Sequence, residues 1–222
     1  METQLLCNAD LDNDPRAFAR FCGKFKILTI YDLANEQKDT LVMTGCSNEV
    51  LECILEITNL VYDLQVLPLD STFFYRRITG LERRLRIKHE SDMNAELPTV
   101  ARIYHMAALI YLERVRLETF HEVQPTFHTN AVNDGLALLA NIDTRKVPWP
   151  LFVIGCEAAT DLQRQKVLRL LETERSGADG PIPRRLMEAF WIQDDLDTTQ
   201  KLSYVEKMSG VINTLPSLPS FA

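Results

Sequence analysis

The sequence predicts an all-α fold, built as a single-domain bundle of roughly eight to nine helices. Apolar residues recur every three or four positions along nearly the whole chain, which is the spacing of one helix face, and no alternating run leads into a hairpin turn. The 222 residues are 46% hydrophobic and 25% charged, as is typical of globular chains, and one core is usual at this length. We expect one domain over residues 1–215 and a Pro-rich tail over residues 216–222.

Three helices are predicted in the first part of the chain, over residues 16–34, 47–64 and 70–88. Asp70 is expected to cap the third of them. Each has one apolar face, and we expect these faces to form part of the core. The inward residues are Phe18, Phe21, Phe25, Leu28 and Tyr31 in the first helix, Val50, Leu51, Ile54, Ile57 and Val61 in the second, and Phe74, Ile78, Leu81 and Leu85 in the third.

The next helix is predicted to be the central one, because residues 103–112 are apolar around most of its circumference. It begins near Pro98, ends near Thr119, and is followed by a break at Pro125. Thr160 and Gln163 have the spacing of a capping box at the start of a later helix. The remaining predicted helices cover residues 129–142, 148–158, from Thr160 to near Gly177, 184–197 and 201–213.

The net charge of −7 makes direct DNA binding by this chain unexpected, because phosphate contacts need clustered bases. One basic group is dense, and Glu82 and Arg86 within it have the spacing of a helical ion pair. We interpret the group as a solvated helix face, with a docking surface for an acidic partner as the alternative. It consists of Arg76, Arg77, Arg83, Arg84, Arg86 and Lys88.

Five cysteines at irregular spacing, with no signal peptide before them, predict a reduced intracellular protein. No apolar stretch is long enough to span a membrane. Cys46 and Cys53 are two helical turns apart, and we expect both to be buried. No CxxC pair is present, and His121 and His128 flank Pro125 in a predicted loop without a neighbouring cysteine. We therefore predict no metal and no cofactor.

An acidic DDxD cluster formed by Asp194, Asp195 and Asp197 raises the alternative of a metal-dependent terpenoid enzyme. That chemistry requires a carboxylate where Thr198 stands, and the companion motif that would begin at Asn133 is incomplete. GxSxG, GxGxxG and Walker motifs are absent, so no catalytic residue is predicted. We favour a solvated acidic helix end and a protein that is not an enzyme.

A group of aromatic and apolar residues offers two interpretations, the lining of a pocket for a lipophilic small molecule or plain core packing. If the pocket exists, we expect it between the central helix and the later aromatic segments. The predicted ligand-binding residues are Met106, Ile110, Tyr111, Trp149, Phe152, Phe190 and Trp191.

Four segments together resemble one known family. Residues 101–112 (ARIYHMAALIYL) resemble the central helix of the fungal-specific transcription factor domain, which lies C-terminal to zinc binuclear clusters. Residues 149–158 (WPLFVIGCEA) resemble its most recognisable signature, and residues 132–142 and 185–191 also match. Within the signature we expect Gly155 to admit a neighbouring helix. We expect Glu157, a single acid there, to be held by an arginine or a backbone donor.

The resemblance implies an all-α regulatory domain of a fungal zinc-cluster transcription factor, located in the nucleus and cytoplasm. It implies contacts with coregulator proteins, a homodimer, and in some members a lipophilic effector. The six-cysteine DNA-binding module of the family is not found in this sequence. A purely structural dimerisation module remains the other alternative.

Overall fold

The computed structural model describes residues 46–66, 71–94, 99–120, 125–172, 181–197, 202–203, 206–207 and 210–211. Within these ranges there are seven α-helices, one 3-10 turn and no strand, which confirms the all-α class with one or two helices fewer than predicted. The predicted helix over residues 16–34 lies outside the described ranges. The helices are α1 (Asn48–Val66), α2 (Ser71–Asn94), α3 (Thr99–Phe120), α4 (Pro125–Leu139), α5 (Pro148–Cys156), α6 (Asp161–Glu172) and α7 (Pro181–Leu196), and the 3-10 turn is Thr144–Lys146.

The helix boundaries follow the local signals in most places. The capping box is confirmed, because the Thr160 N–H donates to Gln163 Oε1 at 3.1 Å and the Gln163 N–H donates to Thr160 Oγ1 at 3.3 Å. The helix predicted over residues 129–142 begins four residues earlier than expected, since Pro125 is the first residue of α4. Proline fits there because the N–H groups of the first turn have no helical partner.

Helix α3 is the central helix, as predicted. It packs against α1, α2, α4 and α5. Ile103, Ala107 and Ile110 on α3 are fully buried. Four neighbouring helices explain why α3 is apolar around most of its circumference.

Helix α5 is a second centre of packing, although it is only 9 residues long. It contacts α3, α4, α6 and α7, and every residue over 149–156 is buried. A helix buried on all sides must be apolar all round, and this explains its sequence PWPLFVIGC.

The described cysteines are buried free thiols, as expected for Cys46 and Cys53. Burial raises the pKa of Cys53 to about 11, although the nearby Arg84 opposes that rise. Burial also raises the pKa of Cys156 well above its usual range. These thiols stay protonated at neutral pH and act as small apolar core groups.

Candidate functional site

Trp149 anchors the start of α5 to the central helix through two tyrosines. Its ring stacks on Tyr104, with centroids 6.1 Å apart and an interplanar angle of 12°. It meets Tyr111 edge-on at 6.2 Å and 79°. The tyrosines lie two turns apart on one face of α3, so both reach the same ring. Trp149 is 3% exposed and is therefore a core residue.

Helix α7 contacts the other side of α5 at Gly155. The Trp191 Nε1–H donates to the Gly155 carbonyl oxygen at 2.9 Å, and the Arg164 guanidinium lies 5.5 Å from the centroid of the Trp191 ring. A Cβ atom on residue 155 would lie 2.7 Å from Met187 Sδ, which is closer than a van der Waals contact. The predicted role of Gly155, admitting a neighbouring helix, is confirmed.

The seven predicted ligand-binding residues lie around α5 and on two sides of α3. Tyr111 contacts Trp149, whereas Trp191 bonds to Gly155 on the α7 side. Met106 is partly buried, and its position on α3 is about 140° around the helix from that of Tyr111. The seven residues therefore do not share one face, and ligand binding stays a prediction. The buried members are Ile110, Tyr111, Trp149, Phe152, Phe190 and Trp191.

Glu157 is a buried carboxylate immediately after α5, with a side chain only 5% exposed. Its Oε2 atom lies 2.9 Å from His128 Nε2 and 3.7 Å from Arg114 Nη1. Burial alone would raise the pKa of Glu157, but Arg114, His128 and Lys207 together outweigh burial and hold that pKa below its usual value. Glu157 is therefore ionised at neutral pH, and the expected arginine partner is confirmed.

The ionic contacts continue from Glu157 to the C-terminal part of the described chain. Arg114 Nη2 lies 4.0 Å from Asp194 Oδ1, and Lys207 Nζ lies 2.7 Å from the same oxygen. Lys207 Nζ also lies 3.3 Å from Asp197 Oδ2, and both of these side chains are buried. We call this set the Glu157 network. It links α3, α4, the end of α5, α7 and residues 206–207, and its members are Arg114, His128, Glu157, Asp194, Asp197 and Lys207.

The DDxD carboxylates are engaged by basic side chains. Arg164 donates two hydrogen bonds of 2.7 Å to Asp195, which lower the pKa of that carboxyl, while Lys207 lies against both other aspartates. The interpretation as a solvated helix end is wrong for Asp197, whose side chain is only 6% exposed. No group of three His, Cys, Asp or Glu side chains in the described ranges is arranged to hold a metal. Thr198 lies outside those ranges.

Sequence reasoning missed three members of the Glu157 network, namely Arg114, His128 and Lys207. The sequence predicts a loop at His128, whereas this residue lies on α4, 29 residues before the carboxylate that it contacts. A buried acid requires a basic partner, and that signal was present at Glu157. The identity of the partner depends on helix packing, which local spacing does not reveal.

A small cleft lies between α2 and α3, away from the predicted ligand-binding residues. Its space of about 10 Å³ admits about one water molecule. Burial raises the pKa of Glu113 in this cleft, and Arg116 opposes the rise. Its lining consists of Ile78, Glu82, Arg86, Leu109, Leu112, Glu113 and Arg116.

The model of the fungal-specific transcription factor domain matches residues 19–214, which is most of the chain and includes every described helix. The chain belongs to this family. The signature helix α5 and the Glu157 network are therefore parts of a fungal-specific transcription factor domain. The predicted limits at residues 1 and 215 stay a prediction.

The curated protein "Transcription factor iacI" of Pestalotiopsis fici is 33% identical to this domain over 144 residues. The match covers 63% of the chain and 36% of the relative, so the chain corresponds to about a third of that protein's length. No solved structure matches the chain. None of the described helices is both long and apolar enough to cross a membrane.

Proposed function

We propose that the chain is the regulatory domain of a fungal zinc-cluster transcription factor, acting in the nucleus through coregulator contacts and a homodimer. The observation that carries this proposal is the family match over residues 19–214. The family match assigns the chain to transcriptional regulation, and with the DDxD carboxylates already paired to bases, a terpenoid enzyme is not favoured.

The Glu157 network supports a regulatory role because it joins five elements through partly buried charges. Separating a buried charge from its partner costs about 3 to 5 kcal/mol. A displacement of α7 or of residues 206–207 would separate Lys207 from Asp197 and disturb Arg114 beside Glu157. A partner that displaced one of these elements would therefore weaken ionic contacts made by the others.

A reporter assay tests the regulatory function. The 222-residue chain is fused to a heterologous DNA-binding domain in a fungal reporter strain. We expect reporter expression to rise or fall relative to the DNA-binding domain alone. Trp149→Ala serves as a misfolded control, because removing a large buried aromatic costs about 3 to 5 kcal/mol. Equal expression from the fusion and from the DNA-binding domain alone, with both proteins detected by immunoblot, contradicts the proposal.

The proposal includes a lipophilic effector bound beside Trp149, Tyr104 and Tyr111. Aromatic faces and an apolar surround suit such a ligand, and the small residues Ala107 and Ala108 lie between the two tyrosines along α3. A ligand that binds only the folded chain stabilises it by about 2.7 kcal/mol at a hundredfold excess over Kd. A sterol, fatty acid or aromatic metabolite should therefore raise the melting temperature.

The variant Ala107→Leu distinguishes between a ligand site and a close-packed core beside Trp149. If space for a ligand exists beside Trp149, leucine fills it, so the ligand-induced shift disappears while the unliganded chain melts as before. In a close-packed core the larger side chain costs about 1 to 3 kcal/mol and lowers the melting temperature. No shift with any lipophile, together with a destabilised Ala107→Leu chain, contradicts the effector. Native mass spectrometry of the purified chain reports both a copurified ligand and a dimer.

A further inference from the structure

One face of α2 carries five exposed residues in a single stripe. Their spacing of three and four residues places them on one side of the helix, opposite the buried face that contains Phe74 and Leu85. Phe73 is 45% exposed and Ile87 is 61% exposed, at the two ends of the stripe. We call this face the α2 stripe, and its residues are Phe73, Arg76, Gly80, Arg83 and Ile87.

The arginines on the flanks of α2 are paired within the chain. Arg77 Nη1 lies 2.5 Å from Asp63 on α1, and Arg84 Nη1 lies 2.5 Å from Glu56 on α1.

The two arginines of the stripe differ from those on the flanks. Arg76 and Arg83 are exposed, and neither has an ion pair or a side-chain hydrogen bond with any residue in the described part of the chain. The stripe therefore presents two positive charges that the described fold does not neutralise.

Gly80 lies near the middle of the 24-residue helix α2. A glycine there costs about 1 kcal/mol relative to alanine. A Cβ atom at this position would meet no other atom within 4 Å, so packing inside the chain does not explain the glycine. Absence of a side chain at an exposed position instead allows the backbone of another molecule to come close.

We propose that the α2 stripe is a docking surface for an acidic amphipathic helix of a partner protein. The partner helix crosses α2 over Gly80, its carboxylates pair with Arg76 and Arg83, and its apolar residues pack on Phe73 and Ile87. This inference rests on the proposed regulatory function, because it identifies the chemistry of a coregulator contact.

A second copy of the chain is a poorer occupant of the same surface. In a two-fold dimer crossing at Gly80, an antiparallel pair of helices would place Arg76 near Arg83 of the other copy. A parallel pair would place each arginine near itself. Both arrangements bring like charges together, whereas glutamate or aspartate on a partner helix removes the repulsion.

The test uses a fluorescent helical peptide with glutamates at the spacing of Arg76 and Arg83, leucines on the same face and alanine between the glutamates. A second peptide has lysines in place of the glutamates. Anisotropy should show binding of the acidic peptide to the 222-residue chain, weaker binding at high salt and no binding of the lysine peptide. The double variant Arg76→Glu/Arg83→Glu should weaken binding by about tenfold or more.

Two further variants make the test specific. Arg169→Glu/Arg185→Glu changes the charge by the same amount at exposed arginines of α6 and α7, and it should leave the affinity unchanged. Gly80→Leu places a side chain in open space, so the fold is kept, but the partner helix is blocked and its affinity falls by about tenfold. Melting curves of all variants confirm that each is folded.

The outcomes separate the docking inference from the proposed function. Failure of the acidic peptide to bind, or equal weakening by both double variants, overturns the docking surface. A wild-type dimer that dissociates in Gly80→Leu also overturns it, because the occupant is then a second copy. A positive reporter assay without peptide binding rejects only the docking surface, while a negative reporter assay rejects the regulatory function.

Discussion

Glu157 keeps its charge in the interior because Arg114 and His128 surround its carboxylate. An isolated carboxylate at this depth would be protonated, since burial disfavours the charged form. The pKa of Glu157 is instead lowered. Removing the carboxylate charge would therefore leave the partly buried Arg114 and His128 without this acidic partner.

Glu157→Gln should destabilise the chain by about 3 kcal/mol at neutral pH, because the partly buried Arg114 then loses the charge of a buried carboxylate beside it. For a chain of this length that corresponds to a melting temperature lower by about 6 to 12 °C. Urea unfolding followed by circular dichroism measures the change. Glu188→Gln is a matched control, since Glu188 forms only a partly exposed pair with Arg184, and it should cost no more than about 1 kcal/mol.

The stability difference between wild type and Glu157→Gln should depend on pH. A lowered folded-state pKa stabilises the native chain above the unfolded-state pKa, and this stabilisation is lost as the pH falls through the folded-state value. The difference should thus decrease as the pH falls below the ordinary glutamate pKa of 4.5. A difference that stays unchanged into acid would show that the lost interaction does not depend on the charge of Glu157.

The helices could be predicted from sequence wherever a local chemical signal existed. The capping box at Thr160 fixed the start of α6, and apolar periodicity found α1 and α3 to within about two residues. The start of α4 is harder to predict, because proline signals the end of a helix in most positions but also fits a first turn, as Pro125 does here. Which helices surround α5 depends on tertiary packing. The sequence therefore predicts a close helix contact at Gly155, but it does not predict that Met187 makes this contact.

Gly155 and Gly80 should respond oppositely to alanine. In Gly155→Ala the new Cβ would lie 2.7 Å from Met187 Sδ, and displacing this methionine costs about 1 to 3 kcal/mol. The higher helix propensity of alanine offsets up to about 1 kcal/mol of that cost, so stability should fall. In Gly80→Ala the Cβ meets no atom within 4 Å, and the higher helix propensity of alanine should stabilise the chain by about 0.5 to 1 kcal/mol. Thermal melts measure both, and a change of the same sign in the two variants would contradict this account.

The whole molecule combines features that the sequence revealed with others that it could not. The all-α class and the central place of α3 follow from the spacing of apolar residues, which can be read without knowing how the helices pack. The Glu157 network could not be predicted, because its members come from positions 114 to 207 and meet only after folding. The proposed ligand site shares this difficulty, since Met106 and Tyr111 belong to one helix but to different faces.

The distribution of charge over the whole chain predicts its behaviour toward DNA. The net charge of −7 repels phosphates, and Asp63, Glu56 and Glu82 pair with three of the six bases in the basic group of α2. Arg76 and Arg83, which form no ion pair within the described ranges, release too few counterions for tight binding at physiological salt.

Fluorescence anisotropy with labelled duplexes should therefore show no sequence-specific binding at about 0.15 M salt. Weak binding that appears only at low salt and disappears in Arg76→Glu/Arg83→Glu would agree with this expectation. A complex that survives excess competitor DNA and prefers one sequence would show that the chain reads DNA bases, and the assignment of regulation without DNA contact would then be wrong.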